Sequence, residues 1–269
     1  MKSASDFRTD AAPAILGVGN PGAGKTRLMF GFPVPGIVDC DMNLSSAARV
    51  LKGKEFYYGQ PLIDDKGVAL PEDQRWNAAM KLSKELMLDP RVKTICVDGL
   101  TALSQWGLAH CETELIKAGI NVKKEYMAKY QSFISLMTNY ITTLRLAKKT
   151  VFVTCHQTVD QNDLTKIWYY SLAIPGQLKD RLGGLFTDVW GVSTQIVGED
   201  VKYFINTRPT NMHVALKTSY DLEPKIDVTR KNPEEIYKLL EPKLSIYNQP
   251  PVTTPTLPLA QYATPTKSP

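Results

Sequence analysis

The chain has 269 residues, 43% of them hydrophobic, and a net charge of +5 from 32 Lys and Arg against 27 Asp and Glu. That size and apolar content suit one large α/β domain with appendages, and the mild basicity admits a polyanionic partner without demanding one. No apolar run is long enough to span a membrane, no signal peptide opens the chain, and four scattered cysteines (Cys40, Cys96, Cys111, Cys155) without a CxxC read as buried reduced thiols, so the expectation is a soluble cytoplasmic protein.

Residues 1–11 read as an N-terminal arm ahead of a domain over 12–244. The first apolar run, 14–18 (AILGV), reads as a strand, and GNPGAGKT follows it at residues 19–26. The spacing G-x-x-x-x-G-K-T is that of a phosphate-binding loop. Gly19, Gly22 and Gly24 allow backbone geometries that turn successive N–H groups toward phosphate oxygens. Lys25 reaches the terminal phosphates, and Thr26 offers its hydroxyl to Mg²⁺. Arg27 begins a helical stretch whose positive end faces the anion. The whole run, Gly19, Asn20, Pro21, Gly22, Ala23, Gly24, Lys25, Thr26 and Arg27, is the expected site for ATP and its Mg²⁺.

Further strands are expected at 36–40 (GIVDC), 55–58 (EFYY), 93–98 (KTICVD) and 150–155 (TVFVTC), with helices near 44–52, 71–88, 101–118 and 125–148 between them. This alternation predicts a mostly parallel sheet with helices on both faces. Asp98, at the carboxyl end of the 93–98 strand, stands where ligands bind in open α/β sheets and is the second candidate for holding Mg²⁺. A hydrolase also needs a group to orient the attacking water. Glu72, in the first turn of the 71–88 helix, is the first candidate, although Glu72 and Asp73 there also suit a simple dipole role. Asp41, which with Asp39 follows the second strand in IVDCDMN, is its rival. At the end of the 150–155 strand, Gln157 is ranked ahead of His156 as the polar group that senses the γ-phosphate.

Beyond residue 160, strand-like pieces at 167–173, 188–196 and 201–206 are read as extending the sheet. A helix near 232–241 is capped by Asn232, with Pro233 at its first position. The Pro- and Thr-rich stretch 245–269 lacks acidic residues and reads as a disordered tail, a candidate tether for a single-strand-binding or replication partner.

The order of these parts, with CVDGLTAL, VTCHQ and AIPGQLKDRLGGLFTDVW after the loop, resembles the RecA-like P-loop ATPases over residues 12–220, and most nearly the short phage-encoded RecA-like proteins, some of them single-strand annealing recombinases. Gly99 stands where that family commonly has Ser. The resemblance implies an α/β RecA-like fold with extra C-terminal strands, Mg²⁺-dependent ATP hydrolysis stimulated by DNA, and, for a phage-encoded chain, residence in the host cytoplasm. It implies two loops facing single-stranded DNA, near 117–128 with Lys117, Lys123 and Lys124, and near 158–182 with Lys166, Trp168, Tyr169, Lys179 and Arg181. Lysines neutralise phosphates and aromatic rings stack on unpaired bases. It further implies a basic residue acting in trans, Lys217 or Arg208, and so self-association into a ring or filament. The alternatives are a RecA-fold motor or regulatory ATPase acting through a protein or duplex DNA, a small-molecule kinase on the same scaffold, and a chain in which ATP is only a structural switch.

Overall fold

The computed structural model describes residues 12–48, 53–64, 66–213 and 215–244; the arm assigned to 1–11 and the tail assigned to 245–269 lie outside the described residues. The apolar run at the start becomes β1 (Ala14–Gly19), followed by a short α1 (Lys25–Met29), β2 (Pro35–Asp39), α2 (Leu44–Ala48) and β3 (Tyr57–Gly59). Then come α3 (Glu72–Leu88), β4 (Thr94–Asp98), α4 (Leu100–Lys117), α5 (Tyr126–Leu146) and β5 (Thr150–Gln161). The C-terminal part holds β6 (Trp168–Leu172), α6 (Leu178–Arg181), a 3-10 turn over Leu182–Leu185, β7 (Asp188–Val197), β8 (Asp200–Asn206), β9 (Lys225–Asp227) and α7 (Pro233–Leu244).

The strands hydrogen-bond in the order β3-β2-β4-β5-β1-β7-β8-β9, with β6 pairing β5 alone. The stretch from β3 to β7 is parallel, and β8 and β9 add antiparallel strands at one edge. This is an α/β, RecA-like arrangement: a mostly parallel sheet flanked by helices, with extra C-terminal strands. Because the central strands are covered on both faces, their residues are apolar on both. Ile15, Ile37, Cys96, Phe152 and Trp190 meet Leu28 and Met29 of α1 and Ile236 and Leu240 of α7 on one face. Leu16, Val38, Val97 and Val153 meet Trp76, Leu103, Phe133 and Ile141 of α3, α4 and α5 on the other. The four cysteines are buried and free, and no helix among the described residues is long and apolar enough to cross a membrane.

One expectation is corrected here. The 167–173 strand does not extend the main sheet. It folds back as β6 on the outer half of β5, from Gln157 opposite Leu172 to Gln161 opposite Trp168. The reason is the length of β5. Its pairing with β4 runs to Val153 and with β1 to His156, so the backbone beyond needs another partner, and β6 supplies it. β9, only three residues long, was not expected at all.

Helix α7 is clamped against the helix that follows the phosphate loop. A Cβ on Gly31 would lie 2.3 Å from the Pro233 carbonyl oxygen and 3.1 Å from that of Leu28. Backbone at that distance cannot step aside cheaply. Gly31→Ala is therefore expected to destabilise the fold by about 1–3 kcal/mol, read as a lower midpoint in thermal denaturation followed by circular dichroism.

Candidate nucleotide site

The loop after β1 has the geometry its glycines permit. Gly22 (φ +77°) and Gly24 (φ +95°) both lie in the left-handed region, and a Cβ on Gly22 would meet nothing within 4 Å, so its backbone faces open space. Lys25 is buried, and its Nζ donates to the Gly19 carbonyl at 2.8 Å and the Asn20 carbonyl at 2.9 Å, with His156 Nδ1 3.3 Å away. Burial lowers its pKa, and the nearby Asp98 and Asp41 oppose that shift. A buried ammonium folded back on its own loop's carbonyls, beside open glycine backbone, is what a phosphate-binding loop offers before its anion arrives. The residues present thus fit a triphosphate.

Asp98 closes the other side of the loop. Its Oδ2 accepts from the Thr26 hydroxyl at 2.8 Å and its Oδ1 from the Thr154 hydroxyl at 2.7 Å, while Thr154 Oγ1 accepts from the Gly99 amide at 2.9 Å. Burial pushes its carboxyl up to about 6, against the two hydroxyl hydrogen bonds; Asp41 and Asp39 add to the rise. A cation beside Thr26 and Asp98 would favour the ionised form and remove that cost. The donor set, one carboxylate and one hydroxyl plus phosphate oxygens and waters, suits Mg²⁺.

The cleft between these parts, about 400 Å³, is lined by Pro21, Lys25, Thr26, Asp41, Asp98 and His156 among others. Asp41 enters it from the end of β2, with Oδ2 3.5 Å from His156 Nε2. An ammonium can only donate, so His156 Nδ1 accepts from Lys25 and Nε2 carries its hydrogen toward Asp41. The Asp41 carboxylate also accounts for Gly99. That residue has φ +97°, and a Cβ there would lie 2.3 Å from Asp41 Oδ1. Asp39 lies deeper: fully buried, it accepts from Gln60 Nε2 at 2.9 Å and the Asn43 amide at 3.3 Å, and burial raises its pKa.

The structure does not bring every expected residue to this cleft. Glu72 is exposed at the start of α3 and is absent from the cleft lining. Gln157 projects from β5 on the side opposite His156, and its Oε1 lies 3.0 Å from His213 Nε2, which in turn stacks on Tyr170 at 4.3 Å. Side chains alternate along a strand, so Thr154 and His156 share the phosphate side while Gln157 cannot. Lys217 is half-buried and bridges Val189 through its backbone, and Arg208 is exposed. Lys123 and Lys124 lie exposed in the turn between α4 and α5, and Lys117, the last residue of α4, pairs with Glu114 one turn back in the same helix. Lys166, with φ +57°, sits at the tip of the β5–β6 hairpin, and Trp168 beside it is 53% exposed. Lys179 is paired with Asp160, and Arg181 is exposed at the end of α6.

The loop, the buried lysine and the carboxylate-bound threonine, on a parallel sheet with β5 between β1 and β4, define the class as a P-loop NTPase domain. The family described as AAA domain matches residues 11–219, and the chain belongs to it. No curated protein matches the chain in sequence. Among solved structures, a KaiC-like protein from the hyperthermophilic archaeon Pyrococcus horikoshii is similar with a TM-score of 0.41 and 11% identity, over 80% of this chain and 88% of that one.

Proposed function

We propose that the chain is a Mg²⁺-dependent ATPase of the single-strand annealing type, whose cycle is coupled to single-stranded DNA in recombination or repair. The observation that carries this reading is β5 itself. It runs unbroken from His156, which touches both Lys25 and Asp41, into a hairpin that presents Lys166 and Trp168 to solvent.

Lys25 and the loop N–H groups bind the phosphates of ATP. Thr26 and Asp98 hold Mg²⁺, which when bound supplies positive charge against the charge developing on the phosphates. Asp41 accepts a proton from the attacking water; its place in the cleft supports it over Glu72. When Lys25 turns to a phosphate, its contact with His156 is given up, and β5 carries that change to the hairpin. This moves the sensing role from Gln157 to its neighbour. Lys123, Lys124, Lys166, Lys179 and Arg181 neutralise DNA phosphates and Trp168 stacks on a base. Lys217, or Arg208, serves the site of an adjoining subunit in a ring or filament. The tail assigned to 245–269 is the tether to a single-strand-binding or replication partner.

The test is ATP turnover with and without single-stranded DNA, with duplex DNA as the control. Severalfold stimulation by single strands, lost at high salt, is the expected result. Turnover indifferent to DNA would sink the reading. It would favour a second one, a motor or regulatory ATPase that meets a protein, which rests on the apolar character of the same hairpin: Leu164 is 93% and Ile167 60% exposed.

A further inference from the structure

A groove of about 990 Å³ runs along the β9 edge of the sheet, between the outer half of β8, the turn after β9 and the exposed flank of α7. Pairing with β9 covers only Phe204–Asn206 of β8, so the part nearer the β7–β8 turn is left at the edge. Backbone groups along an antiparallel strand point alternately to its two neighbours. Those of Tyr203 point away from β7: the amide donates to Thr229 Oγ1 at 3.0 Å and the carbonyl accepts from the Val228 amide at 2.9 Å. Val201 points the same way two residues earlier, past the reach of that turn, and its amide and carbonyl have no partner among the described residues. Its side chain is 48% exposed, and Leu239, 42% exposed, lines the same groove from α7.

The charges along this edge are unequally engaged. Asp227 accepts from the Thr229 amide at 2.9 Å and from its hydroxyl, and Glu235 accepts from the Asn232 amide at 2.8 Å. Lys202, Arg230, Lys231 and Lys238 also line the groove, and among the described residues the side chain of none of them is in an ion pair or a hydrogen bond. Lys202 and Lys231 act on Asp227 only through space, adding to the drop in its pKa that the Thr229 hydroxyl begins. An open edge bordered by cations repels a second copy of itself. A strand of opposite charge fits both features, taking main-chain hydrogen bonds from the edge and giving carboxylates to the cations. A nucleic-acid backbone meets the cations alone, since it has no N–H for the Val201 carbonyl.

We propose that this groove binds an acidic peptide in extended form, added as a strand to the outer edge of β8. Val201 exchanges its two main-chain hydrogen bonds with the peptide, whose carboxylates meet Lys202, Arg230, Lys231 and Lys238. Side chains alternate along β8, so Val201 shares the α7 face with Ile205, and an apolar residue of the peptide rests there between Val201 and Leu239. The turn after β9 and α7 lie beyond residues 11–219, the span that matches the AAA domain family, so two of the groove's three walls come from outside that span.

The test uses the full chain and the fluorescence anisotropy of a labelled, end-capped peptide of about eight residues that alternates Glu and Val. The same peptide with Lys in place of Glu should bind about tenfold more weakly or worse, and the Glu peptide should lose affinity as salt is raised. N-methylation of alternate amides leaves the charge unchanged. It should cost about tenfold for one set, the scale of one or two lost hydrogen bonds, and little for the other. Val201→Pro, whose missing N–H lies outside the β7–β8 ladder, should match the costly set in a protein with an unchanged thermal midpoint. Arg230→Glu combined with Lys238→Glu should reverse the preference, so that the Lys peptide binds the tighter. A Glu peptide that does not bind, or that binds without regard to its charge or its N–H groups, would overturn the proposal. Two other occupants would do the same. One is an oligo(dT) strand whose binding is lost in the double variant while the peptide does not bind. The other is an unlabelled peptide of sequence 245–269 that displaces the probe as well as the unlabelled Glu peptide does.

Discussion

Lys25→Ala is expected to lower ATP turnover by about 10²–10³-fold, the scale of removing one preorganised donor from a developing anion, and to abolish nucleotide binding. Lys25 is the one ammonium in the cleft and is already desolvated there. A water molecule in its place could not supply the charge. The same substitution should spare the apo protein. It removes a buried cation whose pKa burial depresses, and with it two hydrogen bonds to loop carbonyls and the contact with His156. The sign follows from the depressed pKa: charging Lys25 in the folded state costs stability below its unfolded pKa, and alanine removes that cost. Thermal melts therefore separate the roles. Without nucleotide the midpoint holds or rises. With ATP at about 100 times its Kd the wild type gains about 2.7 kcal/mol, and the variant gains nothing. A variant that melts far below the wild type without ligand would show that Lys25 is a folding residue instead.

Asp98→Asn should carry the second largest effect, and in two opposite directions. Turnover falls by about 10²-fold or more, because the carboxylate proposed to hold Mg²⁺ loses its charge. Stability of the apo protein rises. The Asp98 carboxyl is raised to about 6, so the folded state binds its proton more tightly than the unfolded chain does. The wild type is then favoured below the unfolded pKa and loses that advantage as the pH climbs through 6. A shift of this size corresponds to about 2–3 kcal/mol above pH 6. The amide can keep both neighbours, accepting from Thr154 and donating to the Thr26 hydroxyl. Melting curves at pH 4, 6 and 8 check it. The variant should exceed the wild type most at pH 8 and converge with it at pH 4. Equal midpoints at every pH would mean that Asp98 bears no strain of burial.

The parts of the site legible in the sequence are those whose physics is local. The loop needs its glycines, Lys25 and Thr26 at fixed spacing, and Asp98 needs only the end of a buried strand. The parts that required structure depend on how separate strands align. Whether Asp41 or Glu72 reaches the cleft turns on β2 lying beside β4, with Asp39 opposite Asp98, while Glu72 lies exposed at the start of α3, outside the cleft lining. A chain read in one dimension does not show that order. His156 against Gln157 was closer to hand. Strand alternation places one of two neighbours on each face, and Thr154, bound to Asp98, marks which face is which. Gly99 carried a signal as well, since a glycine directly after Asp98 makes room for the Asp41 carboxylate. The strands themselves were readable because burial on both faces makes them apolar runs. The fate of β6 was not, because nothing in IWYYSLA tells a sheet edge from the returning arm of a hairpin. β9 has three residues, too few for any periodicity.

Sheet order also sets a schedule for the making of the protein. β1 leaves the ribosome well before either of its neighbours: Ala14 pairs with Val151 on one side and Ile15 with Asp188 on the other. At roughly 5–20 residues per second of synthesis, the strand that bears the nucleotide loop waits about 7–30 seconds for its first partner. During that interval AILGVG is an unpaired, fully apolar segment in a crowded cell. Nascent chains halted before residue 150 should therefore be held by chaperones or aggregate, while those released past residue 197 can close the sheet.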